Sequence, residues 1–333
     1  MILNFVVGSN LKLFGGIQKH VNNIVSEMKV NKIHVELHVP NSRMKILNKP
    51  LPSLKDFFKL RESKGVIHFF GFTCLFVGIL LRFTSKNKHI VYTPCMHPFY
   101  THRFPILARF NFYLLLKPSL YKIDKILVLS QFEADFFSKY VHLDRISFIP
   151  SGIDEIISKN DISNKRTHFL FVGRDDDNKR MYIVEELAKL NPNLNFICVC
   201  NTNKSNSENI KYVTGLSDYD LKRLYQNAIS TLIPSKYESF SIVALESIAS
   251  GTPVIISENV QIKSMLPNKI MRLVSDSHLL EGFQSAINEF NGIMEDKVTL
   301  NEVSLTSLEI ASVATWKKIS DDHINIYKII YDK

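Results

Sequence analysis

The sequence predicts an α/β protein made of two doubly wound parallel-sheet domains. Three observations carry this. Short apolar runs such as Ile2–Val7, Val66–Phe70 and His168–Val172 alternate with helical patterns along the chain, the rhythm of β-α-β units. Residues 231–256 read as one complete strand, loop, helix and strand. A length of 333 residues is enough for two cores, and a single core seldom grows so large.

The first half opens on a strand, Ile2–Val7, with no basic region or cleavage site, so it reads as structure and not as a signal peptide. A loop leads to Gly15-Gly16, and helical spacing runs over 17–28. A strand, paired glycines and a helix start together form a cradle for an anion, because glycine lets backbone N–H groups approach closely. His20, one turn into that helix, reads as a satisfied surface histidine. Residues 32–39 alternate as a strand, Val66–Phe70 is a third, and His68 within it reads as a packed core histidine. Residues 72–82 are apolar nearly all round, as in a helix buried under a sheet. His89–Thr93 is the next strand, followed by Pro-Cys-Met-His-Pro. That places His97 beyond the end of a parallel strand, where ligands bind in open α/β sheets. Residues 99–117 interleave aromatics with Arg103, Arg109 and Lys117 as a helix that Pro118 stops. A strand at 125–130, a helix at 131–140 and a short extended piece at 147–150 complete this half. The polar, aperiodic stretch 155–166 reads as a linker. The domains are therefore 1–155 and 156–315.

The second half opens with the strand His168–Val172 and the loop Gly-Arg-Asp-Asp-Asp-Asn-Lys-Arg. Gly173 reads as the residue that permits the tight turn. Strands follow at 194–200 and Ile210–Val213, then a helix at 218–228. In the central unit, 231–233 is a strand ended by Pro234, and 241–250 is a helix. Gly251 stands where a C-cap glycine belongs, Pro253 forbids continuation, and 254–256 is a strand. Helices at 279–290 and Trp316–Tyr331 close the chain.

Composition narrows the function. Hydrophobic content of 45% and charged content of 22% are those of an ordinary globular protein. The longest apolar run, 69–81, contains Gly71, Thr73 and Gly78 and falls short of the ~20 residues that span a bilayer. Four cysteines without zinc spacing read as reduced cytosolic thiols. Charge is lopsided: residues 1–155 hold 21 of the 41 Lys and Arg but 10 of the 32 Asp and Glu. A basic first half suits an anionic partner such as a lipid surface. It contains no recognisable nucleic-acid module, and no nucleic acid is expected.

Chemistry concentrates in the second half. Glu238 lies in the loop before a helix and Glu246 inside that helix among Val243, Ala244, Leu245 and Ile248, with seven residues between the two carboxylates. The helix start between them offers unpaired N–H groups and a positive dipole end. The arrangement suits an extended anionic ligand with hydroxyls at both ends. Arg174 and Lys179 share one loop at a strand's end and can converge on a diphosphate, the first as a planar fork and the second as a point charge. Asp175 and Asp177 form an Asp-x-Asp, but between two such cations no metal is expected.

These residues in this order resemble glycosyltransferase family 4, the group 1 glycosyltransferases of GT-B fold. The resemblance rests on Gly15-Gly16, on Gly-Arg…Lys at 173–179, and on Glu238-Ser-Phe-Ser…Glu246 followed by Ser-Gly-Thr-Pro-Val. It implies two domains facing across a cleft, with the helix at about 316–333 crossing back to pack on the first. It implies retaining transfer of a sugar from a UDP- or GDP-sugar to a glycan or lipid-linked acceptor, without cofactor or metal. Arg174 and Lys179 would stabilise the leaving diphosphate, Glu238 the donor sugar, and Glu246 the ribose. The amides of Phe240, Ser241 and Ile242, with Gly15 and Gly16, would contact sugar or phosphate. His97 would stand in the site, since Cys95 occupies the family's usual first histidine position. The family often has glycine on both sides of Phe240, where this chain has Ser239 and Ser241. A nucleotide-sugar hydrolase or a non-catalytic partner of another transferase are the alternatives. A cytoplasmic protein, peripheral on the inner face of the membrane, is the expected setting.

Overall fold

The structure is a computed structural model that describes residues 2–7, 15–39, 45–46, 49–50, 54–63, 65–71, 89–95, 112–154, 166–202, 204, 206–293 and 296–332. It divides into two units, Met1–Gly152 with Trp316–Lys333, and Ile153–Thr315. His97, the loop 8–14, the helix predicted at 72–82, most of that at 99–117 and nearly all of the predicted linker lie outside the described residues.

In the first unit, strands β1 (Ile2–Val7), β2 (His34–His38), β3 (Val66–Phe70), β4 (His89–Thr93), β5 (Lys125–Val128) and β6 (Ile146–Phe148) form one parallel sheet. The order is β2-β1-β3-β4-β5-β6. Alternate residues feed opposite faces, as the period of a strand requires. Phe69, Tyr92 and Val128 point to a core with Phe112, Phe136 and Phe137. Phe5, Phe70 and Val91 point to a core with Val21, Ile24, Trp316 and Tyr327. That second core joins helix α1 (Gly16–Val30) to the closing helix, Trp316–Tyr331, whose Trp316, Ile319, His323, Tyr327 and Ile330 are buried at helical spacing. Gly152 is required here, because a Cβ would stand 2.7 Å from the Trp316 ring. His20 differs from the sequence reading: it is buried, with Nδ1 2.8 Å from Ser151 Oγ, because the closing helix covers its face of α1. His68 is a core residue, bonded to Tyr327 and Thr93. Helix α2 (Leu54–Glu62) was not predicted. Pro118 does not stop a helix; a π-helical turn over Phe112–Leu116 runs into the short α3 (Lys117–Leu120), and Pro118 is the second residue of α3. Helix α4 (Gln131–Phe137) starts at Ser130, whose Oγ accepts from Glu133 N.

In the second unit, β7 (His168–Val172), β8 (Phe196–Val199), β9 (Ile210–Val213), β10 (Ala228–Ile233), β11 (Val254–Ser257) and β12 (Met271–Val274) are also all parallel. Their order, β9-β8-β7-β10-β11-β12, reverses direction between β7 and β10. The chain winds outward from β7, returns to its other side as β10, and winds outward again. Helices α5 (Met181–Leu190), α6 (Asp218–Asn227), α7 (Ile242–Ala249), α8 (Leu279–Ile293) and α9 (Lys297–Ser312) complete it. Phe169, Phe171 and Ile255 pack with α5 and α8 on one face. Leu170, Val172 and Ile197 pack with Tyr225 and Val243 on the other. Gly251, at φ 71, ends α7 as the sequence predicted.

Candidate functional site

Ligands of open parallel sheets bind beyond the carboxyl ends of the strands, at the point where strand order reverses. In the second unit that point lies between β7 and β10, and the loops leaving those strands are 173–180 and 234–241. They carry Arg174, Lys179 and Glu238. Sites predicted from separate motifs, 59 residues apart in sequence, thus come from neighbouring strand ends.

The two loops are fastened together. Lys179 Nζ donates to Glu238 Oε1 at 2.9 Å, and Ser235 Oγ donates to the same oxygen at 2.6 Å. Both charged side chains are more than four-fifths buried. Asn178 clasps the second loop twice, its Nδ2 donating to Tyr237 O and its O accepting from Lys236 N. Glu238 is held on its far side by backbone bonds to Asn259 and Gln261. The shape of the first loop comes from Asp176, whose Oδ1 accepts from the amides of Asn178 and Lys179. Asp176 also pairs with Arg174 at 3.0 Å, and Arg174 remains more than half exposed. Gly173 is not in the left-handed region. It keeps the loop close to its neighbours: a Cβ would stand 3.1 Å from the Phe171 ring and 3.4 Å from the Lys179 stem, and the ring would have to give by a few tenths of an ångström.

Ser241 takes φ 148 and caps α7, its Oγ accepting from Ala244 N at 3.3 Å. Leu245 N bonds to Ser241 O. The amides of Ile242 and Val243 are therefore the first-turn donors that the helix itself does not use. Phe240 is buried, so any contact it makes with a ligand runs through its backbone. One turn and more into α7, Glu246 Oε2 accepts from Tyr225 OH at 2.8 Å. Tyr225 is wholly buried, and burial first, then the Glu246 carboxylate, holds its phenol well above the usual range. Asp175 is taken up by Lys204 at 3.1 Å, and Lys204 also pairs with Glu185.

Sequence reasoning missed Tyr225, Ser235, Asn178 and the fork of Arg180 on Asp276, whose two bonds are each 2.9 Å. Tyr225 reads as an apolar position of an amphipathic helix, and nothing in sequence ties it to Glu246. Only the preference of a buried phenol for a hydrogen-bond partner points that way. Gly15 and Gly16 stand at the start of α1 in the first unit. 

The geometry can be set beside known proteins. Residues 152–291 match the family of glycosyl transferases group 1. The match to this glycosyltransferase family covers the sheet, both loops and α7. Among curated relatives, the O-antigen chain mannosyltransferase RfbU of Salmonella typhimurium is 27% identical over 225 residues, which are 62% of this chain and 61% of that one. An uncharacterized glycosyltransferase of Methanocaldococcus jannaschii is 28% identical over 113 residues, 33% of this chain and 27% of its own length. The chain thus spans less than two thirds of either relative. Among solved structures, a sucrose-phosphate synthase from Thermosynechococcus elongatus superimposes with a TM-score of 0.80 at 17% identity, covering 99% of both chains. Anabaena HepE in complex with UDP-glucose does so with a TM-score of 0.71 at 15% identity, over 98% of this chain and 99% of that one. These likenesses establish the fold class predicted from the sequence, GT-B. Among the described residues no helix is long and apolar enough to cross a membrane.

Proposed function

We propose that this protein is a glycosyltransferase that moves a sugar from a nucleotide-diphosphate sugar to a glycan or lipid-linked acceptor, with retention at the anomeric carbon. The observation that carries this reading is the meeting of Lys179 and Glu238 at the sheet's switch point, with Arg174 on the same loop. The family match over 152–291 and the UDP-glucose complex of HepE speak for the same chemistry.

In this reading Arg174 and Lys179 receive the diphosphate, and their attraction grows as the bond from the sugar to phosphate oxygen breaks and negative charge develops. They serve in place of a metal. Glu238 accepts hydroxyls of the donor sugar and stabilises positive charge near its ring. Glu246 accepts ribose hydroxyls. The amides of Phe240, Ser241 and Ile242, with Gly15 and Gly16, contact sugar or phosphate, and His97 serves the reacting groups. The basic half, 1–155, faces an anionic acceptor or lipid surface on the cytoplasmic side of a membrane.

The test is calorimetric titration with a panel of UDP- and GDP-linked sugars, without added metal, on wild type and Arg174→Ala. Micromolar binding of one donor, weakened about tenfold or more in the variant, is expected. Equal binding by both proteins removes the diphosphate assignment. Binding without transfer to any acceptor favours a non-catalytic partner, and release of free sugar a hydrolase.

A further inference from the structure

Both cations assigned to the diphosphate have carboxylate partners within the protein. Arg174 has Asp176 at 3.0 Å, and Lys179 has Glu238 at 2.9 Å. The two pairs differ in kind. Arg174 and Asp176 belong to one loop, and the arginine is largely in water, so it can turn to an anion at little cost. Lys179 and Glu238 are largely buried, come from loops that leave different strands, and are braced by Ser235 and by the backbone bonds of residue 238. Taking the lysine away would leave a buried carboxylate without its counter-charge, which is costly.

We propose that the Lys179–Glu238 pair is a built-in competitor for the diphosphate, so that the site distinguishes the intact donor from the spent nucleotide. This rests on the donor-site reading above. A nucleotide sugar takes Lys179 with its phosphates and repays Glu238 with its sugar hydroxyls, which donate to the carboxylate in place of the ammonium. A nucleoside diphosphate makes the first exchange and cannot make the second. Glu238 is then left in the buried pocket with Ser235 as its remaining side-chain donor. After transfer the ion pair re-forms and expels the product. Glu238 thus has opposite effects on two ligands that share one phosphate site, favouring the donor and opposing the product.

The inverted sign makes the proposal testable. UDP and GDP are titrated by calorimetry into wild type, Glu238→Gln, Lys179→Ala and the double variant, without added metal, after thermal unfolding has established that each is folded. Glu238→Gln is expected to bind the nucleoside diphosphate about three- to tenfold tighter than wild type, the worth of one partly buried ion pair. Lys179→Ala is expected to bind it more weakly, and the gain from Glu238→Gln to be smaller in the Lys179→Ala background than in wild type, because part of that gain acts through the lysine. If Glu238→Gln melts early, Glu238→Asp, which draws the carboxylate back by one methylene, carries the same expected sign. Unchanged or weaker binding by a folded residue-238 variant, with Lys179→Ala still impaired, overturns this proposal and leaves the diphosphate site standing. No effect of Lys179→Ala overturns the site and the proposal together, as does absence of nucleotide binding by every folded protein.

Discussion

The phenol of Tyr225 donates to Oε2 of Glu246 at 2.8 Å, from the buried side of α6 to α7. The phenol keeps its proton at neutral pH, because burial and the neighbouring carboxylate both oppose its ionisation. It can therefore only donate to the carboxylate, and it fixes the direction in which Glu246 presents its oxygens.

The first prediction follows from that bond. Tyr225→Phe should raise the donor KM about tenfold, as expected for a hydrogen bond to a charged group, and change kcat less than about twofold. Combined with Glu246→Gln it should add little, since both act on one contact. Steady-state kinetics on the four proteins measures this. Full additivity, or a loss confined to kcat, would separate Tyr225 from the ribose contact.

Ser241 supplies the second. Its φ of 148 lies where glycine is at ease and other residues are strained, at a cost of order 1–3 kcal/mol. Its hydroxyl caps α7, and glycine in place of a serine cap costs only a few tenths of a kcal/mol. Ser241→Gly should thus stabilise the protein by roughly 1 kcal/mol, and raise Tm by a few degrees. Ser241→Ala keeps the strain, loses the cap and should lower stability by about 1 kcal/mol. Calorimetric melting of both variants decides it; a lower Tm for the glycine variant would contradict the strain.

Arg166 supplies the third. Its guanidinium donates to Ala228 O at 2.7 Å, to Gly251 O at 2.8 Å, to Thr252 Oγ1 and to Ser304 Oγ. Thr252 Oγ1 in turn donates to Tyr225 O. One side chain thus ties the C-terminal ends of α6 and α7 together, on the helices that carry Tyr225 and Glu246. Burial lowers its pKa to about 10, so it remains charged at neutral pH. Arg166→Met should cost roughly 3 kcal/mol, because several charge-assisted bonds to buried acceptors are lost at once. Urea unfolding should show it as a lower midpoint; a change under 0.5 kcal/mol, within the usual surface range, would make the network incidental.

The fourth concerns pH. In the first unit the rings of His20 and His68 each lie about 6 Å from that of His323. Burial, and for the first two the neighbouring histidines, lower His20 to about 3, His323 to about 4, and His68 well below its ordinary value. His168 in the second unit falls to about 4, again through burial first. The unfolded chain binds these protons from about pH 6.5 downward and the folded chain does not. Stability should be level above pH 7 and fall from pH 6.5 towards 4, by at most about 1.4 kcal/mol per pH unit for each histidine. Carboxylates titrate mainly below pH 5, so denaturation midpoints at pH 7.5, 6.5 and 5.5 report chiefly on the histidines. Equal midpoints would mean that the histidines protonate in place.

How far the sequence could be read depended on how local the signal was. The strands Val66–Phe70, His89–Thr93, His168–Val172 and Ile210–Val213 were legible to the residue, because an apolar run between polar breaks is a property of neighbours in the chain. Helix α5 was missed because it starts at Arg180, which lies in the left-handed region and offers no side-chain cap. Helix α9 was missed because its inner face is partly small and polar, with Ser304 and Ser307 wholly buried, so no apolar stripe marks it.

The same distinction divides the site. The sequence by itself determined which residue types stand beyond which strands: Arg174 and Lys179 after β7, and Glu238 and Glu246 around the start of α7. It did so because strand ends, helix starts and the seven-residue interval between the carboxylates are set by local backbone preference. The tertiary structure decided what those groups touch. It paired Lys179 with Glu238 across 59 residues and Tyr225 with Glu246 across 21. It also buried His20, which its own helix would leave at the surface, under the last helix of the chain. Such contacts arise from the order in which strands enter the sheet and from which helices pack face to face. They join residues whose neighbours in sequence carry no trace of the partner, and only the packed core brings them within bonding distance.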